Sequence, residues 1–297
     1  MKSETWPLAT TRSRAADFVA LTKPRLNMLV LATAAVGYYL GDPPPLDVVR
    51  CLHAVIGTAL VAGGSAAFNQ AFEPRHDALM MRTRLRPVPD GRVGVGEALV
   101  FATVLSIAGL AELALGTNLL TAGVALVTLG VYVVVYTPLK SRTAFSTVVG
   151  AIPGALPPMI GWTAATGVLS REAWILFGVV FLWQLPHFLA IAWMFRDDYA
   201  RAGFPLLPVV ERDGRTTAYQ VMTYASALLP VSLLPTLVGL AGRTYFMGAL
   251  ALGVALLAVA MRFAFARNRV NARLLFFASI VYLPLIFGLM TIDATWL

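Results

Sequence analysis

Apolar and small residues run along this chain in nine blocks of about 16 to 23. They lie at roughly 26–41, 52–72, 98–115, 118–138, 146–165, 173–195, 218–240, 245–265 and 274–292. As helix, such lengths match the ~30 Å of a bilayer's hydrocarbon. The blocks are apolar all round rather than striped at a 3.6-residue period, so a large soluble core does not account for them. They predict an all-α polytopic membrane protein, with nine transmembrane helices bundled around a central cavity. Two four-helix halves, each with a large inner loop after its second helix, followed by a ninth helix, fit the loop lengths. Residues 1–22 are expected to form a cytoplasmic N-terminal segment and 23–297 a single transmembrane domain.

Composition agrees with this pattern. Of 297 residues 58% are hydrophobic and only 13% charged, where a soluble chain carries about a quarter charged residues. The net charge of +8 would raise nucleic acid as a partner for a soluble protein. Here topology explains it. With a cytoplasmic N-terminus, twenty Lys and Arg fall on inner segments, and only Arg50, Arg171 and Arg243 on outer ones. That bias follows the positive-inside rule and supports both the span count and the orientation. No nucleic-acid partner is expected. The single cysteine, Cys51, excludes an intramolecular disulfide or a thiolate metal cluster and reads as packing. The first apolar run reads as a span rather than a signal, and a bacterial inner membrane is the expected location.

Against this background the stretch "NQAFEPRHDALMMRTRLRP", residues 69–87, stands out. Asn69, Glu73 and Asp77 are spaced i, i+4, i+8, and each would lie within about 40° of the next on a helix. Three oxygen-bearing side chains on one stripe suit a hard divalent cation such as magnesium, which shares its remaining positions with water and substrate phosphates. Pro74 disfavours the α conformation at Glu73, so the helix is expected to end or kink there. Arg82, Arg84 and Arg86 follow, and guanidinium forks bind phosphate oxygens. A metal-bridged diphosphate fits this mixture. An ordinary positive-inside loop, its acids merely offsetting arginines, fits it too.

A second charged stretch, "MFRDDYARAGFPLLPVVERDG", begins where the sixth block ends. Asp197 and Asp198 adjoin Arg196 and Arg201. Two such loops at equivalent places suggest two carboxylate clusters facing each other, able to hold two cations on one diphosphate. Tyr136 and Lys140 end the fourth block at i, i+4, where Lys140 either reaches the site or snorkels to the membrane surface. Gln184 and His187 lie deep within the sixth. Polar groups at that depth are functional candidates by default, with a hydrogen-bonded structural histidine as the plain alternative. His53, near the outer start of the second block, reads as interfacial. Prolines are frequent within the blocks, among them Pro153, Pro157, Pro186 and Pro284, and each removes a backbone donor and is expected to kink a helix.

The first charged stretch resembles the N-x3-[DE]-x3-D motif of UbiA-type intramembrane prenyltransferases. Its continuation, Asp77, Met80, Arg82, Thr83, Arg86 and Pro87, is similar to the heme-modifying branch, the protoheme IX farnesyltransferases or heme O synthases. "YTPLKSRTAFSTVVGAIPGALPPMIGW" and "WQLPHFLAIAWMFRDDYARAGFPLLPVV" look like that branch as well, and the resemblance runs from Lys23 onward. It implies magnesium held by Asn69, Glu73, Asp77 and Asp198, with Asp197 beside them. Arg82, Arg86, Lys140, Arg201 and Tyr136 would then receive a leaving diphosphate. The implied substrates are farnesyl diphosphate and heme b, with His187 near the porphyrin or on its iron. The implied partners for product transfer are a heme A synthase or a terminal oxidase. Two departures stand out. Gln70 replaces the acid that many members carry after the Asn, and Ala202 replaces the second acid of a D-x3-D pair. Competing readings are an aromatic-acceptor prenyltransferase of a quinone pathway and, from another class, a transporter of an anionic amphiphile. A transporter would place its charges near the bilayer midplane, whereas these acids cluster at one surface.

Overall fold

In a computed structural model, which describes residues 13–211 and 213–295, every predicted apolar block is helical. Lys2, Arg12 and Arg212, counted above among the inner charges, lie outside the described residues. A short helix α1 (Arg14–Leu21) leads into α2 (Pro24–Gly41). Then come α3 (Val48–Phe72) and the six-residue α4 (Pro74–Leu79), followed by α5 (Val95–Gly116). The helices α6 (Leu119–Leu139) and α7 (Ser146–Thr166) complete the first part. The second part has α8 (Arg171–Met194), two inner-loop helices α9 (Arg196–Arg201) and α10 (Leu207–Val210), and then α11 (Arg215–Leu237), α12 (Arg243–Phe265) and α13 (Arg269–Ile292).

Among the described residues, eight of these helices are each long and apolar enough to cross a membrane alone. A ninth span is counted when α1 and α2, bent by 46° at their joint, are taken together. The bend has a local cause. Lys23 takes a left-handed conformation (φ 49°) immediately before Pro24, which cannot supply a helical N–H. Other prolines differ: Pro153, Pro186, Pro230, Pro235 and Pro284 lie inside helices that continue through them, while two mark irregularities. Pro157 restarts α7 after a break at Leu156, and a π-helical turn at Val131–Tyr136 lies ahead of Pro138 in α6.

Neighbouring helices pack in a closed sequence: α3 on α5, α5 on α6, α6 on α7, α8 on α11 and α13, α11 on α12, α12 on α13, and α13 back on α2. Small residues bring some backbones together. A Cβ at Gly161 would run into the carbonyl of Ala34, and one at Gly37 into that of Pro158, so α2 and α7 cross at backbone contact. This is the usual device in membranes, where packing and not water drives association. The first helix is tied to the inner loop, with Asp17 accepting from Arg92 Nε at 3.0 Å and Phe18 edge-on to Phe101. That arrangement holds the 74–93 segment against the inner end of the bundle.

Candidate active site at the inner end of the bundle

The chain breaks where Pro74 predicted. Glu73 leaves helical geometry (φ −113°, ψ 27°) while its N–H still donates to the Asn69 carbonyl at 3.1 Å. Pro74 then starts α4, and the Asp77 N–H donates to the Glu73 carbonyl at 2.9 Å. The turn rotates the stripe without dispersing it. Asn69, Glu73 and Asp77 are 4%, 4% and 1% exposed.

Each of the three is met by a cation. Lys140 donates to Glu73 Oε2 at 3.0 Å. Arg86 Nη1 donates to both oxygens of Asp77, at 2.9 and 2.7 Å. Lys23, from the strained joint ahead of α2, donates to Asn69 Oδ1 at 3.2 Å. The reading of the sequence counted Lys23 only as an inner charge. Its local signal was Lys before Pro at a helix start, and its role appears only once the α1–α2 joint meets the end of α3. Unpaired charges this deeply buried would be costly, which is why acids and bases interleave here.

The pairing leaves gaps. Glu73 Oε1 and Asn69 Nδ2 are buried and have no hydrogen-bond partner among the described residues. A buried carboxylate oxygen without a donor is rare and calls for a cation or a water. The donor set, a carboxylate and an amide oxygen beside a second carboxylate, is hard and oxygen-based, as magnesium prefers.

The second acidic stretch approaches the first through aromatics. Arg82 lies over the rings of Phe195 (5.4 Å) and Tyr199 (4.6 Å). Lys140 lies over Phe204 (4.3 Å) and His76 stacks on the same ring. Arg82, expected to bind diphosphate, is thus also the pin between two inner loops. Asp198 pairs with Arg201. Asp197 is about 100° round the helix from it and lines a different cavity, with Arg196, Arg267 and Arg269. Among the described residues, no group of three acidic, His or Cys side chains is assembled tightly enough to hold a metal. The two acidic stretches therefore share one region of the bundle without forming a single ligand cage. Tyr136 ends the π-helical turn one helical turn ahead of Lys140, whose N–H donates to its carbonyl at 2.9 Å.

Gln70 explains one departure from the motif. Its amide donates to the Leu21 carbonyl at 2.9 Å, in a position 1% exposed. It fastens α3 to the α1–α2 joint, a task a carboxylate lacks the donor to perform.

Deeper in the bundle, His187 stacks between Trp183 and Phe276, and its Nδ1 lies 2.8 Å from Ser279 Oγ. The Ser279 hydroxyl donates to the Phe276 carbonyl at 2.7 Å, so it accepts from His187. This assigns the proton to Nδ1 and leaves Nε2 with its lone pair, the form that ligates metals. Gln184 donates to the Ala151 carbonyl at 2.8 Å and presses on Gly154, a structural tie between α8 and α7. His53 pairs with Glu112 at 2.7 Å near the outer end.

A bundle of apolar spans thus ends in a set of buried acids and bases. The chain belongs to the UbiA prenyltransferase family, whose model matches residues 30–281, and it is a multi-pass membrane protein. It is 51% identical over 286 residues to the protoheme IX farnesyltransferase of Solibacter usitatus, covering 93% of this chain and 98% of that one. It is 46% identical to that of Koribacter versatilis, covering 99% and 100%. Among solved structures, a digeranylgeranylglyceryl phosphate synthase superposes with a TM-score of 0.80 at 15% identity, over 94% of this chain and 98% of that one. A UbiA homolog from Archaeoglobus fulgidus, solved with GPP and Mg2+, superposes with a TM-score of 0.65 at 16% identity, over 93% and 99%.

Proposed function

We propose that this chain transfers the farnesyl group of farnesyl diphosphate to a vinyl group of heme b, giving heme O, in a bacterial inner membrane. The protoheme IX farnesyltransferases it matches at 51% and 46% identity nearly end to end support the reaction. The observation that carries the chemistry is the buried Asn69–Glu73–Asp77 set, with its orphaned Glu73 Oε1 and its three attendant cations.

In this reading residues 23–297 act as one catalytic domain, and the basic inner loops keep the N-terminus and the site on the cytoplasmic side. Asn69, Glu73 and Asp77 hold magnesium, with Asp198 facing them from the second inner loop. When bound, the metal supplies neutralisation of the diphosphate and polarises its bond to farnesyl C1. Asp197 falls outside this set, because it lines the separate cavity.

Lys140, Arg86 and Lys23 already lie against the three ligands. With magnesium on the carboxylates, these side chains would be free to turn toward the diphosphate oxygens, where negative charge builds on the leaving group. Arg82 holds the two inner loops together over the site, and Tyr136 and Arg201 complete its rim. Asp198, paired with Arg201, would be available to the same ion from the second inner loop. The apolar spans house the farnesyl tail and keep water from the allylic cation until the heme vinyl carbon has attacked it. Water then adds to the resulting heme-side cation and loses one proton, leaving a hydroxyethylfarnesyl heme. His187 offers Nε2 to the heme iron from its aromatic slot.

The test is incubation of the purified chain in liposomes with heme b, farnesyl diphosphate and magnesium, followed by mass spectrometry of extracted heme. A heme heavier by one farnesyl group and one hydroxyl, its formation lost on chelation, is expected. Unchanged heme with a prenylated aromatic acid would instead assign an aromatic acceptor and overturn the proposal.

A further inference from the structure

A polar cavity of about 500 Å3 opens at the same end of the bundle and takes no part in the chemistry above. It lies between the inner end of α8 and the turn joining α12 to α13. Arg196, Arg267 and Arg269 line it, together with Asp197 and Asp213. Asp213 is already held by Arg215 at 3.2 Å. Three guanidiniums therefore face one carboxylate left over, a surplus of positive charge on a concave polar surface.

The cavity is built and not incidental. The Arg196 guanidinium lies over the Trp193 ring, 5.0 Å from its centroid, and that ring is braced edge-on by Phe263 at 5.6 Å. Stacking of this kind orients the guanidinium plane and leaves its in-plane N–H forks available. Gly214 (φ 69°) closes the far side of Trp193, where a Cβ would strike the ring. Such forks match carboxylates in geometry and charge.

The arginines sit at the inner ends of α8 and α13, the two helices that carry His187 and its stacking partners. Seven residues, about 10 Å at 1.5 Å per residue, separate His187 from Met194 at the end of α8, and Arg196 opens α9 just past the break at Phe195. Seven separate Phe276 from Arg269 on α13, about 10 Å by the same rise. Trp183 Nε1 donates to the Ser279 carbonyl at 2.7 Å, joining the two helices at that depth. The inner halves of α8 and α13 thus present an imidazole held between aromatic rings inside the bundle, with guanidiniums at their inner ends. That is a binding pattern for a flat apolar macrocycle bearing a metal and two acids on one edge.

We infer that Arg196, Arg267 and Arg269 receive the two propionate carboxylates of the porphyrin acceptor and so fix which edge of the ring enters the bundle. The inference rests on the proposed heme acceptor, and it adds what reads the acid edge of that acceptor.

The experiment compares heme b with its dimethyl ester, using the full chain in phosphatidylcholine liposomes with farnesyl diphosphate and magnesium. Heme binding is followed by absorbance titration and turnover by mass spectrometry. The double variant Arg196→Gln/Arg269→Gln should weaken heme b binding and raise its KM at least tenfold, with KM for farnesyl diphosphate unchanged. The unchanged KM also shows that the variant is folded. Arg267→Gln should do the same to a smaller degree, and Arg196→Lys should restore part of the affinity. The dimethyl ester should bind weakly to the unaltered chain and be indifferent to all of these variants. Heme b affinity that survives the double variant, with farnesyl heme formed normally, overturns the cradle and leaves the reaction standing. Arginine-dependent heme binding with no farnesyl heme formed supports the cradle and removes the reaction.

Discussion

Replacing Asp77 by Asn is the sharpest probe of the candidate site. Its side chain is 1% exposed and takes two bonds from one Arg86 nitrogen, at 2.9 and 2.7 Å. The substitution keeps size and one acceptor oxygen but removes the charge. Breaking a buried ion pair costs about 3–5 kcal/mol when the survivor stays buried. Arg86 is 29% exposed, so water tempers the loss, and about 1.5–3 kcal/mol, the range for a charge-assisted hydrogen bond, is the better expectation for stability. Catalysis should suffer more, because the variant loses a proposed metal ligand and the anchor of a diphosphate cation together. Each such contribution is worth about 100-fold or more in rate. The assay is initial-rate farnesyl transfer in liposomes over a magnesium titration, with thermal unfolding followed in parallel. We expect kcat/KM to fall at least 100-fold and the magnesium midpoint to rise, in a protein that still folds. Full activity at an unchanged magnesium midpoint would refute the metal-site reasoning. Thr83→Val is the control. It removes the hydroxyl bond to the Asp77 carbonyl (2.7 Å) and should cost about 1 kcal/mol without moving the magnesium midpoint.

Three further outcomes follow from other contacts. Lys140→Met should slow turnover about 100-fold and, by stranding buried Glu73, also lower the unfolding temperature; Glu73→Gln in the same chain should recover the temperature and not the rate, as a double-mutant cycle would show. Gln70→Glu restores the acid common elsewhere in the superfamily, yet here it removes the donor to Leu21 and buries a charge, so folded yield on size exclusion should drop with no gain in magnesium affinity. Gly161→Ala forces a methyl into the Ala34 carbonyl and should destabilise the α2–α7 crossing by about 1–3 kcal/mol, while any protein that folds retains its KM for heme b.

The chain's own pattern determined most of the architecture. Runs of apolar residues this long have one solution in hydrocarbon, a helix that satisfies its own backbone, and the observed helices follow the predicted blocks to within a few residues. The break at Glu73 was legible because Pro74 disfavours the α conformation in the residue before it. Asn69, Glu73 and Asp77 were legible from their four-residue spacing, although the break at Glu73 divides them between α3 and α4.

What required the tertiary structure was everything that depends on distant segments meeting. Lys23 is 46 residues from Asn69 and Lys140 is 67 from Glu73; no local rule pairs them. Gln70 looked like a missing ligand until the Leu21 carbonyl appeared opposite it. Asp197 and Asp198 are neighbours in sequence, yet one faces Arg201 and the other a cavity walled by α13, because adjacent helical residues diverge by about 100°. The proton position on His187 followed from Ser279, 92 residues away. Local periodicity decides which segments are helices and which face carries the oxygens. Only the closing of the bundle decides which cation meets which acid, since that depends on contacts the chain makes with itself across the membrane domain.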